Sequence, residues 1–380
     1  MEIGSGPMAG VYDTVVCLSD FETDDLLCLR MLAPRCANVT MRMVVGEGDQ
    51  DKRSLAAHVL GKYGFSGTSV QCAFSARPWP LTGCGGFLLL ADAQVARGTL
   101  SDRPYPRDVL GCYDSAPPAA VVDEEAGAFI RRALAESSNP LLVVLKPPLE
   151  LLALLSGGEA DSEASAALLR KATCAVYGSF NFRRVLEVFP QDGNAQLQRL
   201  MRSFRVSVVA ERGSAVGSTG ILDRSNTDFS VFDESFTGLM CAWNDIAARN
   251  LSKSMAEDTA ALVAASAESD YAAMAKLSVR IARRAGVCRS IGDAQGVQIA
   301  AADPIVAALL LNPAVFQSYL KVMEFVINEH DALVWSEPDD SAAGIDSAPG
   351  TIYCLAAREG EEQAAVLRHV CSAVNTFCSL

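Results

Sequence analysis

The chain has 380 residues, half of them apolar and a fifth charged. That is the composition of a globular protein able to bury a sizeable core, not of a disordered chain. Its formal net charge of -13 repels polyanions on average, which argues against nucleic acid or an acidic membrane as a partner.

Met1 to Gly10 is rich in small residues, without a basic stretch followed by an apolar core. It reads as a flexible N-terminus or tag preceding a single domain over 11–380, and not as a secretory signal. No apolar run is long enough to span a bilayer. The 12 cysteines are scattered, with no CxxC pair and no zinc-ligand spacing. Cys17, Cys28, Cys72, Cys174, Cys241 and Cys354 lie in or beside apolar stretches, as free thiols of a reducing compartment do. The expected address is cytoplasmic.

Along the chain, short β-branched runs alternate with helical patterns. Thr14 to Leu18 predicts a strand, Leu26 to Leu32 a helix, Val39 to Val45 a strand, Ser54 to Tyr63 a helix and Val70 to Phe74 a strand. Ala126 to Glu136 is helical, Leu141 to Leu145 a strongly buried strand, and Leu149 to Leu155 the start of another helix. Strands follow at Ala172 to Tyr177 and Val206 to Ala210. Ser156 to Ser165 and Gly213 to Gly220 read as surface loops, and Leu197 to Arg205 as a solvated helix face. Ala247 to Ala285 is Ala-rich and helical. A helix within Asp303 to Leu320 is expected to be capped by Asp303, with Pro304 in its first turn. After a loop at Ser336 to Gly350 come a strand at Thr351 to Ala356 and a helix at Glu361 to Thr376. This alternation implies an α/β fold: an open, mostly parallel sheet covered by helices on both faces. In such sheets ligands bind beyond the carboxyl ends of the strands.

The segment just after the first strand carries the most chemistry. It reads Leu18-Ser19-Asp20-Phe21-Glu22-Thr23-Asp24-Asp25-Leu26. Acids at a helix N-terminus are favoured by the helix dipole, which accounts for one or two of them. Four carboxylates together repel one another unless a cation neutralises them. A hard divalent ion held by oxygen ligands is the natural occupant.

The spacing of Asp20, Asp24 and Asp25 resembles the signature of the inosine-uridine nucleoside hydrolases, usually Asp-x-Asp-Pro-Gly-x-Asp-Asp. Leu18, Phe21 and Glu22 stand where that family has Asp, Pro and Gly. Downstream, Ala302-Asp303-Pro304-Ile305-Val306-Ala307 resembles the family's His-Asp-Pro-x-Ala helix start. Val144 to Glu150 is similar to its Gly-Pro-Leu-Thr-Asn turn, Val176 to Ser179 to its Met-Gly-Gly turn, and Val44 to Glu47 to its Gly-Asn turn.

The resemblance implies a nucleoside-hydrolase-like fold and calcium-dependent cleavage of the N-glycosidic bond of a small nucleoside-like substrate. In the family, calcium holds the ribose hydroxyls and acidifies a bound water, while carboxylates stabilise an oxocarbenium-like transition state. Carried over, Asp20 is metal ligand and general base, and Asp24 contacts the ribose hydroxyls. Asp20, Asp25 and Asp303 hold the metal, completed by a main-chain carbonyl at Leu149, with an offset of one position left open. Glu47 and Asn181 are the candidate sugar contacts.

The family's leaving-group His is replaced by Ala302, which removes the obvious general acid. The three histidines, His58, His330 and His369, and the side chains of Tyr177, Arg183 and Trp243 are not identified as substitutes by spacing. A second reading is therefore a catalytically silent relative serving as a binding or scaffold subunit of a larger assembly. A homo-oligomer is also compatible with the resemblance.

Overall fold

In the computed structural model the described residues are 1–4, 9–21, 23–36, 39–45, 56–57, 59–62, 70–74, 119–156, 159–178, 181–182, 185–186, 189, 191–210, 221–223, 225–232, 237, 252, 255–293, 298–327, 333–336, 350–357 and 360–379. They fall into two compact units. The larger is drawn from Met1–Pro80, Tyr113–Ile221 and Ala300–Leu380, and the smaller includes Leu222–Ile299.

The larger unit is built on nine strands: β1 Thr14–Ser19, β2 Thr40–Val45, β3 Val70–Phe74, β4 Ala120–Val121, β5 Pro140–Val144, β6 Thr173–Tyr177, β7 Val206–Ala210, β8 Leu320–Val322 and β9 Thr351–Leu355. Their lateral order is β8-β9-β7-β6-β5-β1-β2-β3-β4. Every neighbouring pair is parallel except β8 with β9 at one edge. The expected open, mostly parallel sheet is what forms.

Burial explains the composition of the strands. All six residues of β1 and all five of β5 are buried, which requires cover on both faces. Among the described residues, helices that flank the sheet include α1 Thr23–Leu32, α2 Ala126–Glu136, α3 Leu149–Leu155, α4 Glu159–Leu169, α5 Gly193–Ser203, α6 Ala302–Leu311 and α7 Glu361–Cys378. Helices α2 to α5 pack on one another. They share a core with Val16, Leu18, Leu142, Val144, Cys174 and Val176, alternate residues along their strands. Helices α1, α6 and α7 pack together as a second group. Cys17, pointing opposite to Val16 and Leu18, lies in the electrostatic field of Asp25 on α1. The two helical groups therefore take opposite faces. Asp303 to Leu310 on α6 is buried without interruption, as a helix apolar all round must be.

The topology places the site. The chain starts mid-sheet at β1, runs outward through β2, β3 and β4, then returns to the other side of β1 with β5 and continues to β6, β7 and β9. The connections leaving β1 and β5 diverge, which opens a crevice at their carboxyl ends.

Some elements differ from expectation. Ser156 to Ser165 is not a loop, because α4 runs through most of it. Within α4 as a whole Ala, Glu and Leu outnumber Ser and Asp, and Ser162 donates its hydroxyl to the Leu155 carbonyl at 2.9 Å. Helix α1 starts at Thr23, before Leu26, so Asp24 and Asp25 form its first turn. The edge strand β8 and the hairpin Glu324–Ile327/Leu333–Ser336 were not expected. In the smaller unit the Ala-rich stretch is helical over 255–267 and again over Tyr271–Asp293. It breaks at Ser269 (φ 57°), and Asp270 accepts the Ala273 N–H at 3.0 Å to cap the second segment.

The helix expected at Ser54 to Tyr63 is described at 56–57 and 59–62, and those residues are helical; the loop at Ser336 to Gly350 lies largely, and the loop at Gly213 to Gly220 wholly, outside the described residues. Among the described residues no helix is long and apolar enough to cross a membrane. Cys17, Cys28, Cys36, Cys174, Cys354, Cys371 and Cys378 are free and buried.

Candidate metal centre

Strand β1 ends at Ser19, and Asp20 follows at its carboxyl end. The next residue, Phe21, sits in the left-handed region at φ 64°. For a bulky residue this conformation costs about 1–3 kcal/mol and persists only when its surroundings hold it. Two features hold it here. The Phe21 ring is completely buried, and its N–H donates to Ser19 Oγ at 2.9 Å. The chain thus turns sharply off the strand into α1, whose first turn carries Asp24 and Asp25. Glu22 lies outside the described residues.

The second half of the site comes from α6, which packs along α1. Asp303 stands in the first turn of α6, but it does not cap the helix as expected. The N-cap is Ala301, and no side chain caps the backbone there. The Asp303 carboxyl group is engaged with Asp25 instead. Carboxylate oxygens of Asp24, Asp25 and Asp303 all lie within 4.8 Å of one another. Asp20 hydrogen-bonds with Asp25 and contributes to the negative field at Asp303. Asp20, Asp25 and Asp303 are buried, and Asp24 is half-buried. The structure therefore brings together all four aspartates singled out in the sequence.

The electrostatics show how unfavourable this is without a cation. At an effective dielectric constant of about 20, each ionised pair at such separations repels by roughly 3 kcal/mol. Burial, reinforced by the Asp24 charge, pushes Asp25 up to about 6, although hydrogen bonds from Asp20, Ser19 and Asp303 pull it down. Asp303 is held well above the usual carboxylate range, first by burial and then by the charges of Asp25, Asp24 and Asp20. Without a cation, the Asp25–Asp303 pair keeps a proton above the usual carboxylate range. A set of buried carboxylate oxygens within a few ångströms is the donor set that hard divalent ions take. The residues fit such an ion.

The other candidates are placed as follows. Leu149 is the first residue of α3 and is buried, its N–H donated to the Pro147 carbonyl at 2.9 Å. It lies just beyond β5, whose ladder to β1 extends through the Leu145 N–H to the Leu18 carbonyl at 2.8 Å. Asn181 is buried, and its Nδ2 donates to the carbonyls of Leu145 at 3.1 Å and Tyr177 at 2.9 Å. It fastens the carboxyl ends of β5 and β6, which occupies its amide nitrogen. Ala302 is half-buried beside Asp303 and has no proton to give. Glu47, His58, Arg183, Trp243 and His330 lie outside the described residues. Tyr177 is half-buried. His369 packs edge-on against Phe316 at 5.8 Å between ring centroids, which is a packing role.

Two features were not foreseen. Ser19 bonds both Phe21 and Asp25. A hydroxyl at the last strand position before the acidic run is the signal that could have found it. Lys146 and Glu150 form a buried ion pair with Nζ at 2.7 Å from both carboxylate oxygens. Their i, i+4 spacing was visible in the sequence.

No family model and no curated protein matches the sequence. Among solved structures the chain is similar to an inosine-guanosine nucleoside hydrolase, with a TM-score of 0.49 and 12% identity over 94% of this chain and 99% of that one.

Proposed function

We propose that the protein is a calcium-dependent N-glycosyl hydrolase that cleaves a ribonucleoside or related N-riboside to free base and ribose. The observation that carries this reading is the convergence of Asp20, Asp24, Asp25 and Asp303 at the carboxyl end of β1, beside the topological switch point. The motifs around Asp20 to Asp25 and Asp303-Pro304 support the choice of reaction through their resemblance to nucleoside hydrolases.

Asp20, Asp25 and Asp303 hold the cation, with the main-chain carbonyl at Leu149 or its neighbour as a neutral ligand. Calcium, when bound, supplies charge neutralisation and a Lewis-acid centre for hydroxyl and water oxygens. Asp20 takes the proton of the attacking water, and Asp24 accepts hydrogen bonds from the ribose hydroxyls. Asn181, through Oδ1, and Glu47 add sugar contacts. The ring of carboxylates stabilises positive charge developing at the anomeric carbon.

Ala302 favours a second reading, a catalytically silent relative that binds without turnover, because a side-chain acid at that position contributes about 10²–10⁴-fold. One assay separates the two. Purified protein with calcium is offered a nucleoside panel, and ribose release is measured as reducing sugar. Turnover abolished by Asp20→Ala supports the hydrolase. No release from any nucleoside, while calcium still raises the melting temperature, supports the silent relative.

A further inference from the structure

Ser19 closes β1 and is fully buried, as are Phe21 and, to within 1%, Asp25. Its Oγ accepts the N–H of Phe21 at 2.9 Å. Its hydroxyl also hydrogen-bonds the Asp25 carboxylate. A carboxylate can only accept, so the serine proton goes to Asp25 while a lone pair on the same oxygen receives the Phe21 amide. Phe21 is the left-handed residue that turns the chain from Asp20 toward Asp24 and Asp25. One hydroxyl therefore ties the backbone of the turn to the side chain of a candidate ligand. Among common side chains of this size only a hydroxyl does both. Alanine does neither, and a thiol does both weakly.

We propose that Ser19 is a positioning residue of the cation site, coupling the left-handed turn at Phe21 to the orientation of the Asp25 carboxylate so that Asp20, Asp24 and Asp25 face one point. The inference rests on reading the cluster as a cation site, and it deepens that reading. Ser19 is not a ligand, because its hydroxyl oxygen is turned to the amide and its proton is spent on Asp25. Its contribution is preorganisation, which removes the freedom of the Asp25 carboxylate before the ion arrives.

The test compares wild type with Ser19→Ala, Ser19→Cys and Ser19→Thr. Calcium binding is measured by titration calorimetry, melting temperature in chelator, and metal-free structures by crystallography. Removing a group that orients a ligand typically lowers metal affinity roughly 10–100-fold. The expected result is about a tenfold loss in Ser19→Ala and Ser19→Cys, recovery in Ser19→Thr, and an Asp25 carboxylate rotated away in the metal-free Ser19→Ala crystal. Cysteine nearly conserves volume, so a loss there with an unchanged metal-free melting temperature is not a packing effect. Wild-type affinity in both Ser19→Ala and Ser19→Cys overturns the inference. So does a metal-free Ser19→Ala crystal with Phe21 and Asp25 unmoved, whether or not wild type binds calcium. A wild type that binds no calcium overturns the reading of the cluster instead.

Discussion

The carboxyl groups of Asp25 and Asp303 hydrogen-bond to each other across the packed helices α1 and α6, although most of the chain separates them in sequence. Two buried acids in contact can coexist as carboxylates only if a cation sits between them; otherwise they must share a proton. The bond therefore marks a position that carries either a proton or a metal, and replacing one acid distinguishes what each contributes.

Asp303→Asn keeps the shape and removes one charge. In chelator at pH 7 the variant is expected to melt at or above the wild-type temperature, because the amide is neutral without a proton, whereas the wild-type cluster must keep one at a pH where the unfolded carboxylate has lost it. A bound ion stabilises a folded protein by about 2.7 kcal/mol at a hundred times its dissociation constant; calcium should give wild type a gain of that kind, and the variant should lose most of it. Thermal melts with and without calcium measure both effects. A calcium-induced shift equal to that of wild type would remove Asp303 from the ligand set.

The pH dependence follows from the same pair. Asp25 is raised to about 6 and Asp303 is raised in the same direction, whereas both titrate near about 4 when unfolded. Between these limits the folded state binds more protons than the unfolded state, so stability falls as pH rises. The contribution is fully present below about pH 4 and is lost as pH passes through 6 and above. For Asp25 alone the loss is on the order of 3 kcal/mol. Metal-free wild type should therefore lose stability from pH 5 to 7.5 by more than Asp303→Asn does. Stabilisation by calcium should grow over the same interval, because the ion displaces the retained proton. Denaturant titrations at several pH values measure the slope, and equal slopes in wild type and variant would contradict the assignment.

The parts of the fold that the sequence revealed are those where one physical cause dominates. Strands β1 and β5 are buried on both faces and read as unbroken apolar runs, so their position, and that of the chemistry just after them, was legible. Asp20, Asp24 and Asp25 were legible because charge crowding has a cost that spacing alone displays. Asp303 was found, but its role at the helix start was misread. From sequence an Asp before Pro is a capping residue; only the packing of α6 on α1 turns it toward Asp25. Ser19 was missed because its two bonds depend on the left-handed turn at Phe21, and nothing in a Phe announces that conformation. Helix α4 was missed because Ser and Gly at its start read as a loop, whereas its hydroxyls are used inside the fold, as Ser162 shows.

Lys146 and Glu150 offer a test of the turn after β5. Their side chains are only 2% and 4% exposed, and the ammonium lies 2.7 Å from both carboxylate oxygens. Breaking a buried pair by removing one partner strands the other charge and costs about 3–5 kcal/mol, whereas replacing both by apolar groups is often neutral. Lys146→Met and Glu150→Leu should each destabilise strongly, and the double variant should be much closer to wild type. Chemical denaturation of all three completes the cycle. Additive single effects would mean that the two side chains are independent.

The last turn that frames the crevice depends on Gly178. Its N–H donates to the Ala210 carbonyl at 2.8 Å, and its own carbonyl accepts the Asn181 N–H at 2.8 Å, setting Asn181 where it fastens β5 to β6. A Cβ on Gly178 would lie 2.5 Å from Val209 Cγ1 and 3.4 Å from the Ala210 carbonyl oxygen. The first contact is far below van der Waals distance, and Val209 is fully buried on β7, so it has little room to yield. Overpacking of this kind costs about 1–3 kcal/mol, and Gly178→Ala should show it. Because a single methyl of Val209 is the obstacle, Gly178→Ala combined with Val209→Ala should be less destabilised than the sum of the two changes. Urea titrations of the two single variants and the double variant decide it. A Gly178→Ala protein within about 0.5 kcal/mol of wild type, the range of an inconsequential surface change, would show that β6 and β7 can part there without loss.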